Sequence, residues 1–162
     1  MNIEKLMTMQ AGLDHHIETK HELQAENLVE RKILALLVEV GELANETRCF
    51  KFWSLKGPSE REIILAEYVD GIHFILSLAN DHGFKLSVPE EFSFEQRDLT
   101  QQFILLYQGI SQFQNDITLE AFQLMFTEYL TLGKMLGFSA TDVEKAYISK
   151  NEVNYERQKQ GY

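Results

Sequence analysis

The sequence predicts an all-α protein, a bundle of about six helices that forms a single domain over residues 1–162. Apolar residues recur at the spacing of a helix, and the alternating pattern of a half-buried strand is hard to place anywhere. Only two prolines, Pro58 and Pro89, interrupt the chain. Because 44% of the residues are hydrophobic, the chain can bury a sizeable core.

Apolar spacing and capping residues give the approximate extent of each helix. We expect helices over residues 2–19, 23–48, 59–82, 98–113, 118–136 and 139–158. The third and the sixth begin with capping-box patterns, Ser59 with Glu62 and Ser139 with Asp142. Gly83 ends the third helix, and the segment from there to about residue 96 is expected to be a surface connection.

The third helix is expected to lie at the centre of the bundle. From Tyr68 to Leu78 it is apolar on nearly all sides, with Asp70, His73 and Ser77 as exceptions. An acid in a buried helix indicates a functional site, because an unpaired charge is costly to bury.

Composition limits the expected partners and location. The formal net charge of −10 opposes an extended contact with a nucleic-acid backbone. No apolar run approaches the roughly 20 residues that cross a membrane. The lone cysteine, Cys49, is typical of a reducing compartment, so we expect a cytoplasmic protein. Aromatic residues of the fourth and fifth helices offer an apolar surface to a second subunit, and these are Phe103, Tyr107, Phe113, Phe122, Phe126 and Tyr129.

Two acidic pairs carry the strongest functional signal. Glu39 and Glu42 lie in VEVGELANE, and Glu67 and Asp70 lie in AEYVDGIHF. Residues three apart project from one face of a helix, so adjacent helices would bring four carboxylates together. Unpaired, neighbouring carboxylates would repel by roughly 4 kcal/mol at an effective dielectric of about 20, which favours a bound cation. Oxygen ligands favour Mg²⁺, with Mn²⁺ as a substitute.

The acidic pairs also indicate the chemistry. Magnesium in proteins usually bridges carboxylates to phosphate oxygens, which makes a nucleotide the natural ligand. A water activated by the metal can then attack phosphorus while a carboxylate accepts its proton. The pattern therefore predicts hydrolysis of a phosphate anhydride.

Aromatic and polar residues near the acids are candidates for binding the rest of a nucleotide. Trp53 lies in FKFWS, where the second helix gives way to a loop. Phe74, four residues after Asp70, could stack against a base, and His73 could meet a sugar hydroxyl. Ordinary core packing explains His73 and Phe74 equally well.

The C-terminal segment AYISKNEVNYERQKQGY is a further candidate. Lys150, Asn154 and Arg157 lie near one side of the last helix, with Asn151 beside them and Tyr162 at the end. Lysine and arginine donate to phosphate, and asparagine can pair with a pyrimidine edge. A solvated charged face is the alternative.

Together these motifs resemble the all-α dimeric dUTPases, a branch of the MazG-like nucleotide pyrophosphohydrolase superfamily. The resemblance extends from Gln10 to Tyr162, and its specificity comes from the order of the ExxE, Lys/Trp loop, ExxD–HF and KNxxNxxRQxxGY motifs. It implies a homodimer with the MazG-like helical fold that hydrolyses dUTP to dUMP and pyrophosphate, and also hydrolyses dUDP. Mg²⁺ would be held by the residues Glu39, Glu42, Glu67 and Asp70. Glu39 would be the catalytic base, with Glu42 close behind.

The resemblance also implies roles in substrate binding. It places Gln10, Trp53, Phe74 and Asn154 around the uracil, His73 at the deoxyribose, and Lys150, Arg157 and Tyr162 at the phosphates. Further candidates are Lys51, Lys56, Asn151 and Asp14, the last at a position where the family usually has asparagine.

Two alternatives remain open from the sequence. A MazG-like or dCTPase-like pyrophosphohydrolase would use the same metal chemistry on another nucleoside triphosphate. A non-catalytic acidic helical adaptor would use its apolar stripes to bind partner helices.

Overall fold

Six α-helices build the structure, a computed structural model that describes residues 1–92 and 96–161. The helices are α1 Ile3–Lys20, α2 Val29–Thr47, α3 Arg61–His82, α4 Leu99–Asn115, α5 Leu119–Met135 and α6 Ala140–Lys159. The described residues contain no β-strand. The all-α prediction of about six helices is therefore confirmed.

Helix α3 lies at the centre of the fold, as predicted. It packs against α1, α2, α5 and α6, and side chains from all six helices join one hydrophobic core. Val69, Ile72, Ile75 and Leu76 of α3 are fully buried. Because α3 is enclosed on several sides, polar groups on it are held by their neighbours rather than by solvent.

The start of α2 differs from the prediction. The helix begins at Val29 rather than at Leu23, since the preceding turn has Glu22 in the left-handed region with φ of 58°. The side chain of Asn27 accepts a hydrogen bond from the backbone N–H of Val29 at 3.1 Å, which competes with helical bonding there.

The predicted capping box at the start of α3 is wrong, although the one at the start of α6 is confirmed. The N-cap of α3 is Glu60, with no side-chain cap. The Ser59 hydroxyl donates instead to the carboxylate of Glu46 in α2, and a hydrogen bond to a charged group is stronger than one between neutral groups. In α6, Ser139 Oγ accepts from the N–H of Asp142 at 3.1 Å.

The aromatic residues of α4 and α5 were predicted to offer an apolar surface to a second subunit. For most of them this prediction is wrong. Five are at most 4% exposed, and these are Phe103, Phe113, Phe122, Phe126 and Tyr129. They are buried because α4 packs on α5 and α2 within the same chain. Only Tyr107 is partly exposed, and its hydroxyl donates to the carbonyl of Leu37 at 3.2 Å.

A reciprocal pair of tyrosines joins α3 to α5. Tyr68 donates to the carbonyl of Tyr129 at 3.2 Å, Tyr129 donates to the carbonyl of Tyr68 at 2.7 Å, and the rings stack with centroids 4.8 Å apart. Gly71 faces the hydroxyl of Tyr129, and Gly133 faces that of Tyr68. The absence of a Cβ at both glycines lets the two helices approach, which fixes the part of α3 that carries Glu67 and Asp70.

None of the described helices combines the length and the apolar character that crossing a lipid bilayer requires.

Candidate active site

Three carboxylates meet where α2 packs against α3. Glu39 of α2 and Glu67 and Asp70 of α3 each place one carboxylate oxygen within 4.8 Å of the other two. All three side chains are half-buried. The spacing of three residues puts Glu67 and Asp70 on one face of α3, and the packing of the two helices adds Glu39.

The cluster is electrostatically unfavourable without a cation. Burial, together with the charges of Asp70, Glu42 and Glu67, raises the pKa of Glu39 to about 7. Burial and the nearby carboxylates also raise the pKa of Glu67. Lys150 relieves part of this repulsion, since its Nζ lies 2.6 Å from Asp70 Oδ2. One ammonium group does not balance the whole cluster.

The donor set fits a hard divalent cation. All of its atoms are carboxylate oxygens, which Mg²⁺ and Mn²⁺ prefer, and no sulfur or imidazole group is among them. Glu42 is exposed and lies outside this group of three, but its charge acts on both Glu39 and Glu67. A divalent cation would therefore be held by two helices at once.

A cleft of about 340 Å³ opens beside the carboxylates, between α1, α2, α3 and α6. It brings together nine of the residues that the sequence analysis singled out, namely Gln10, Asp14, Glu39, Asp70, His73, Phe74, Lys150, Asn154 and Arg157. These residues are up to 147 positions apart in the sequence. Acidic, basic, aromatic and amide groups thus share one cleft.

A buried polar network forms one wall of the cleft. Gln10 is 3% exposed, and its Oε1 accepts from the hydroxyl of Tyr147 at 2.7 Å and lies 2.7 Å from Nδ1 of His73. Its Nε2 donates to Oδ1 of Asp14 at 2.7 Å. Since Gln10 Oε1 can only accept, His73 carries its proton on Nδ1 and presents Nε2 as a bare acceptor. Burial lowers the pKa of His73 to about 3, so the ring is neutral.

Several other predicted residues do not line the cleft. Trp53, 65% exposed, packs against Phe50 and Phe52 in the loop between α2 and α3. Lys51 donates to the side chain of Asn45, and Lys56 is exposed in the same loop. Asn151 is 4% exposed and is not among the residues that line the cleft. Tyr162 lies outside the described residues.

Several residues that line or support the cleft were not predicted from the sequence. Leu13 and Ile17 of α1 give it apolar walls, Ser77 extends the polar face of α3, and Lys32 of α2 also lines it. Tyr147 stacks on His73 with centroids 4.2 Å apart. Helical spacing could have found Ser77, which follows His73 by four residues, but no local signal marks Tyr147.

Comparison with known proteins identifies the family. A model of the dUTPase family matches residues 2–162. A search of curated proteins found no match to this chain. The six-helix architecture agrees with the all-α dUTPases, and the carboxylate cluster agrees with the divalent metal that the family suggests. Because the family match extends over the whole chain except Met1, the chain belongs to the dUTPase family, and its activity is that of a dUTP diphosphatase.

Proposed function

We propose that this enzyme hydrolyses dUTP, and also dUDP, to dUMP in a reaction that requires Mg²⁺, for which Mn²⁺ is a substitute. The observation that carries the proposal is the group of three carboxylates, whose members Glu39 and Asp70 also line the cleft. Glu39, Glu67 and Asp70 would hold the cation, and Glu42 would contribute its charge from the rim. A bound divalent cation lowers the pKa of a coordinated water and screens the charge of the phosphates.

Glu39 is the proposed catalytic base. It and Asp70 are the members of the carboxylate group that line the cleft, and Asp70 is held by Lys150 at 2.6 Å. Among the described residues Glu39 forms no ion pair, so its oxygen is available to accept the proton of the attacking water. Glu42, one turn further along α2, is exposed and is assigned a supporting role.

The remaining groups of the cleft suit the other parts of a deoxynucleotide. Lys150 and Arg157 supply donors for the phosphates. His73 Nε2, a bare acceptor, suits the 3′-hydroxyl of the sugar, and Phe74 with Asn154 suits the face and edge of the base. A contact from Trp53, Lys51 or Lys56 would require the exposed loop after α2 to close or to come from a second subunit.

The first prediction concerns the reaction itself. With Mg²⁺ and dUTP, the protein is expected to release dUMP and pyrophosphate in equal amounts, and EDTA is expected to stop the reaction. Asp70→Asn, which removes a charge from the cluster, is expected to lower kcat/KM by at least about 100-fold. Product analysis by ion-exchange chromatography and a pyrophosphate-coupled assay measure both effects.

A matched variant distinguishes the loss of a carboxylate of the cluster from the general effect of removing one negative charge. Glu62→Gln removes an exposed acid at the start of the same helix and is expected to stay within about twofold of the wild type. Release of orthophosphate from dUTP, or full activity in EDTA, would contradict the proposed reaction.

We also propose that the enzyme is a homodimer. Helix α4 contains no charged residue, although the protein as a whole has a net charge of −10. Two copies of an acidic protein can approach along such a face without charge repulsion. Ile104 of α4 is 55% exposed, and Leu34 and Val38 of α2 are 62% and 49% exposed.

These three apolar side chains lie on neighbouring helices. Thr100 of α4 donates to the carbonyl of Cys49 at 3.3 Å, and Tyr107 donates to the carbonyl of Leu37 at 3.2 Å, so α2 and α4 run antiparallel. Leu34 and Val38 are four residues apart and therefore share one face of α2, and Ile104 is exposed on the neighbouring α4. An apolar surface shared by two helices suits the centre of a twofold interface.

The second prediction tests this interface. Ile104→Lys is expected to convert the dimer to a monomer, because it places two ammonium groups opposite each other near the twofold axis. Ile117→Lys, a change of the same kind at a 46% exposed position in the α4–α5 connection, is expected to leave the dimer intact. Light scattering coupled to size exclusion measures the mass, and a monomeric wild type would refute the proposal.

The thiol of Cys49 supports our proposal that the enzyme acts in the cytoplasm. It is half-buried and unpaired among the described residues, which suits a reducing compartment.

A further inference from the structure

Lys150 already occupies one of the three carboxylates that fit a divalent cation. Its Nζ lies 2.6 Å from Oδ2 of Asp70, and the two side chains are only 21% and 19% exposed. An ion pair this short between two mostly desolvated groups is a charge-assisted hydrogen bond rather than a loose surface contact. Any cation that binds Asp70 must therefore compete with an ammonium group of the same chain.

The charge of Lys150 acts on the rest of the cluster as well. Burial is the largest effect on the pKa of Glu39 and of Glu67 and raises both, whereas the charge of Lys150 lowers both. The ammonium and a divalent cation among the three carboxylates would repel each other, whichever oxygen of Asp70 each one takes. Lys150 thus serves as a counter-ion of the cluster and opposes a second cation there.

The cleft gives the ammonium group a second place to bind. Lys150 lines it together with Asn154 and Arg157, which follow on the next two turns of α6. A phosphate group in the cleft would accept from the ammonium and from the guanidinium at once. Because lysine has a flexible four-carbon stem, its Nζ can turn from Asp70 toward the cleft without a movement of α6.

Outside the carboxylate cluster, the described residues offer the ammonium no equal partner. Asp14 and Glu18 of the cleft interact with Lys32, and the ring of His73 is neutral because burial lowers its pKa to about 3. A second hollow beside Lys150, between α3 and α6, has mainly apolar walls, and its acid Glu62 is exposed and so a weak partner. Release from Asp70 without a phosphate would leave a mostly buried ammonium unpaired, which is unfavourable.

We propose that Lys150 holds Asp70 until a nucleotide binds and then passes to one of its phosphates, so that nucleotide binding frees Asp70 for the divalent cation. This inference rests on the proposed function, because it uses the same metal and the same phosphates. It makes the two binding events cooperative. By thermodynamic linkage, the nucleotide strengthens binding of the cation by the same factor as the cation strengthens binding of the nucleotide.

Lys150→Met tests the competition for Asp70, because methionine keeps an unbranched side chain and carries no charge. At pH 8 and without nucleotide, the variant is expected to bind Mn²⁺ at least fivefold more tightly than the wild type. Electron paramagnetic resonance of the free ion measures the affinity. Lys145→Met removes an exposed ammonium group from the same helix and is expected to stay within about twofold of the wild type.

Non-hydrolysable α,β-imido dUTP tests the transfer to phosphate. In the wild type the analogue is expected to strengthen Mn²⁺ binding both by its own contact with the ion and through Lys150. In Lys150→Met only the direct contact remains, so the factor by which the analogue strengthens Mn²⁺ binding should be at least fivefold smaller. A lysine with a merely structural role would change the stability of the fold and leave this factor unchanged.

Three results would overturn the inference and leave the proposed function standing. These are Mn²⁺ binding in Lys150→Met that is no tighter than in the wild type, an equal gain in Lys145→Met, and an unchanged effect of the analogue. Wild-type protein that binds no Mn²⁺, with or without the analogue, overturns both.

A measurement on the wild type decides the question if Lys150→Met does not fold. Nitrogen-15 NMR of the lysine ammonium groups, assigned through the side-chain carbons, reports the partner of Nζ. The Lys150 resonance is expected to change when Mg²⁺ and the analogue bind together. Binding of both with an unchanged Lys150 resonance would mean that the ammonium stays on Asp70, which overturns the inference.

Discussion

Replacing Glu39 by glutamine is expected to abolish turnover and, at the same time, to stabilise the cation-free protein. The variant keeps the size of the side chain but removes the proposed base and one ligand charge, so kcat should fall at least about 1,000-fold. Stability should rise because the charge of Glu39 lies in a half-buried position beside Asp70, Glu42 and Glu67. Catalytic residues commonly carry such a cost in stability.

The size of the gain follows from the pKa of Glu39. An increase from 4.5 to about 7 corresponds to at most ~3.4 kcal/mol, and solvent screening at this half-exposed group reduces it to ~1–2 kcal/mol. The folded state holds its proton more tightly than the unfolded state, so between pH 4.5 and about 7 it binds more protons. The free energy of unfolding of the wild type therefore falls as the pH rises through this window.

Urea denaturation in EDTA at pH 5 and pH 8 measures this effect. The variant should exceed the wild type by ~1–2 kcal/mol at pH 8 and should nearly equal it at pH 5. Glu152→Gln, an exposed position in α6, controls for the general effect of removing one negative charge from an acidic protein. Near-normal turnover in Glu39→Gln would refute its role as base, and equal stability at pH 8 would refute the electrostatic cost.

Helical spacing explains what the sequence could predict. Glu67 and Asp70 share a face because they are three residues apart, and the apolar surroundings of α3 in the sequence correctly indicated a central helix. The same spacing predicted that Glu39 lies on the side of α2 that faces α3. Such inferences need only the periodicity of one helix and the proximity of two consecutive helices.

Contacts between distant helices could not be predicted in this way. Gln10 is 63 residues from His73 and 137 from Tyr147, and only the packed fold shows that its amide is already bonded to both. Its predicted contact with uracil therefore competes with an existing network. Periodicity also does not say which element covers an apolar face, which is why Phe122 and Phe126 were expected at a partner surface but lie in the core.

The largest expected effect on stability comes from adding one methyl group at Gly71. A Cβ there would lie 2.0 Å from the hydroxyl oxygen of Tyr129 and 2.8 Å from its Cζ. The ring cannot move aside easily, because it is fully buried, stacks on Tyr68 and donates to its carbonyl. Gly71→Ala is therefore expected to lower the free energy of unfolding by ~3 kcal/mol or more.

Gly109→Ala is the matched control for this variant. Gly109 lies inside α4, and a Cβ there would meet Met125 no closer than 3.5 Å, an ordinary contact. With no clash to offset it, alanine should stabilise this helix by ~0.5–1 kcal/mol relative to glycine. The two variants make the same chemical change in helices of one protein, so opposite signs in urea denaturation would isolate the contact with Tyr129.

A double variant then tests whether that contact also positions the carboxylates. Tyr129→Phe removes the oxygen that lies 2.0 Å from the new Cβ but keeps the ring carbon at 2.8 Å, so it should restore only part of the stability lost in Gly71→Ala. Because Gly71 directly follows Asp70, the single variant should also weaken Mn²⁺ binding measured by electron paramagnetic resonance at a temperature where it is still folded. An equal effect of Gly71→Ala and Gly109→Ala on the free energy of unfolding would mean that α3 and α5 are not held at the distance that the reciprocal tyrosines require. That result would refute the proposal that this contact supports Glu67 and Asp70.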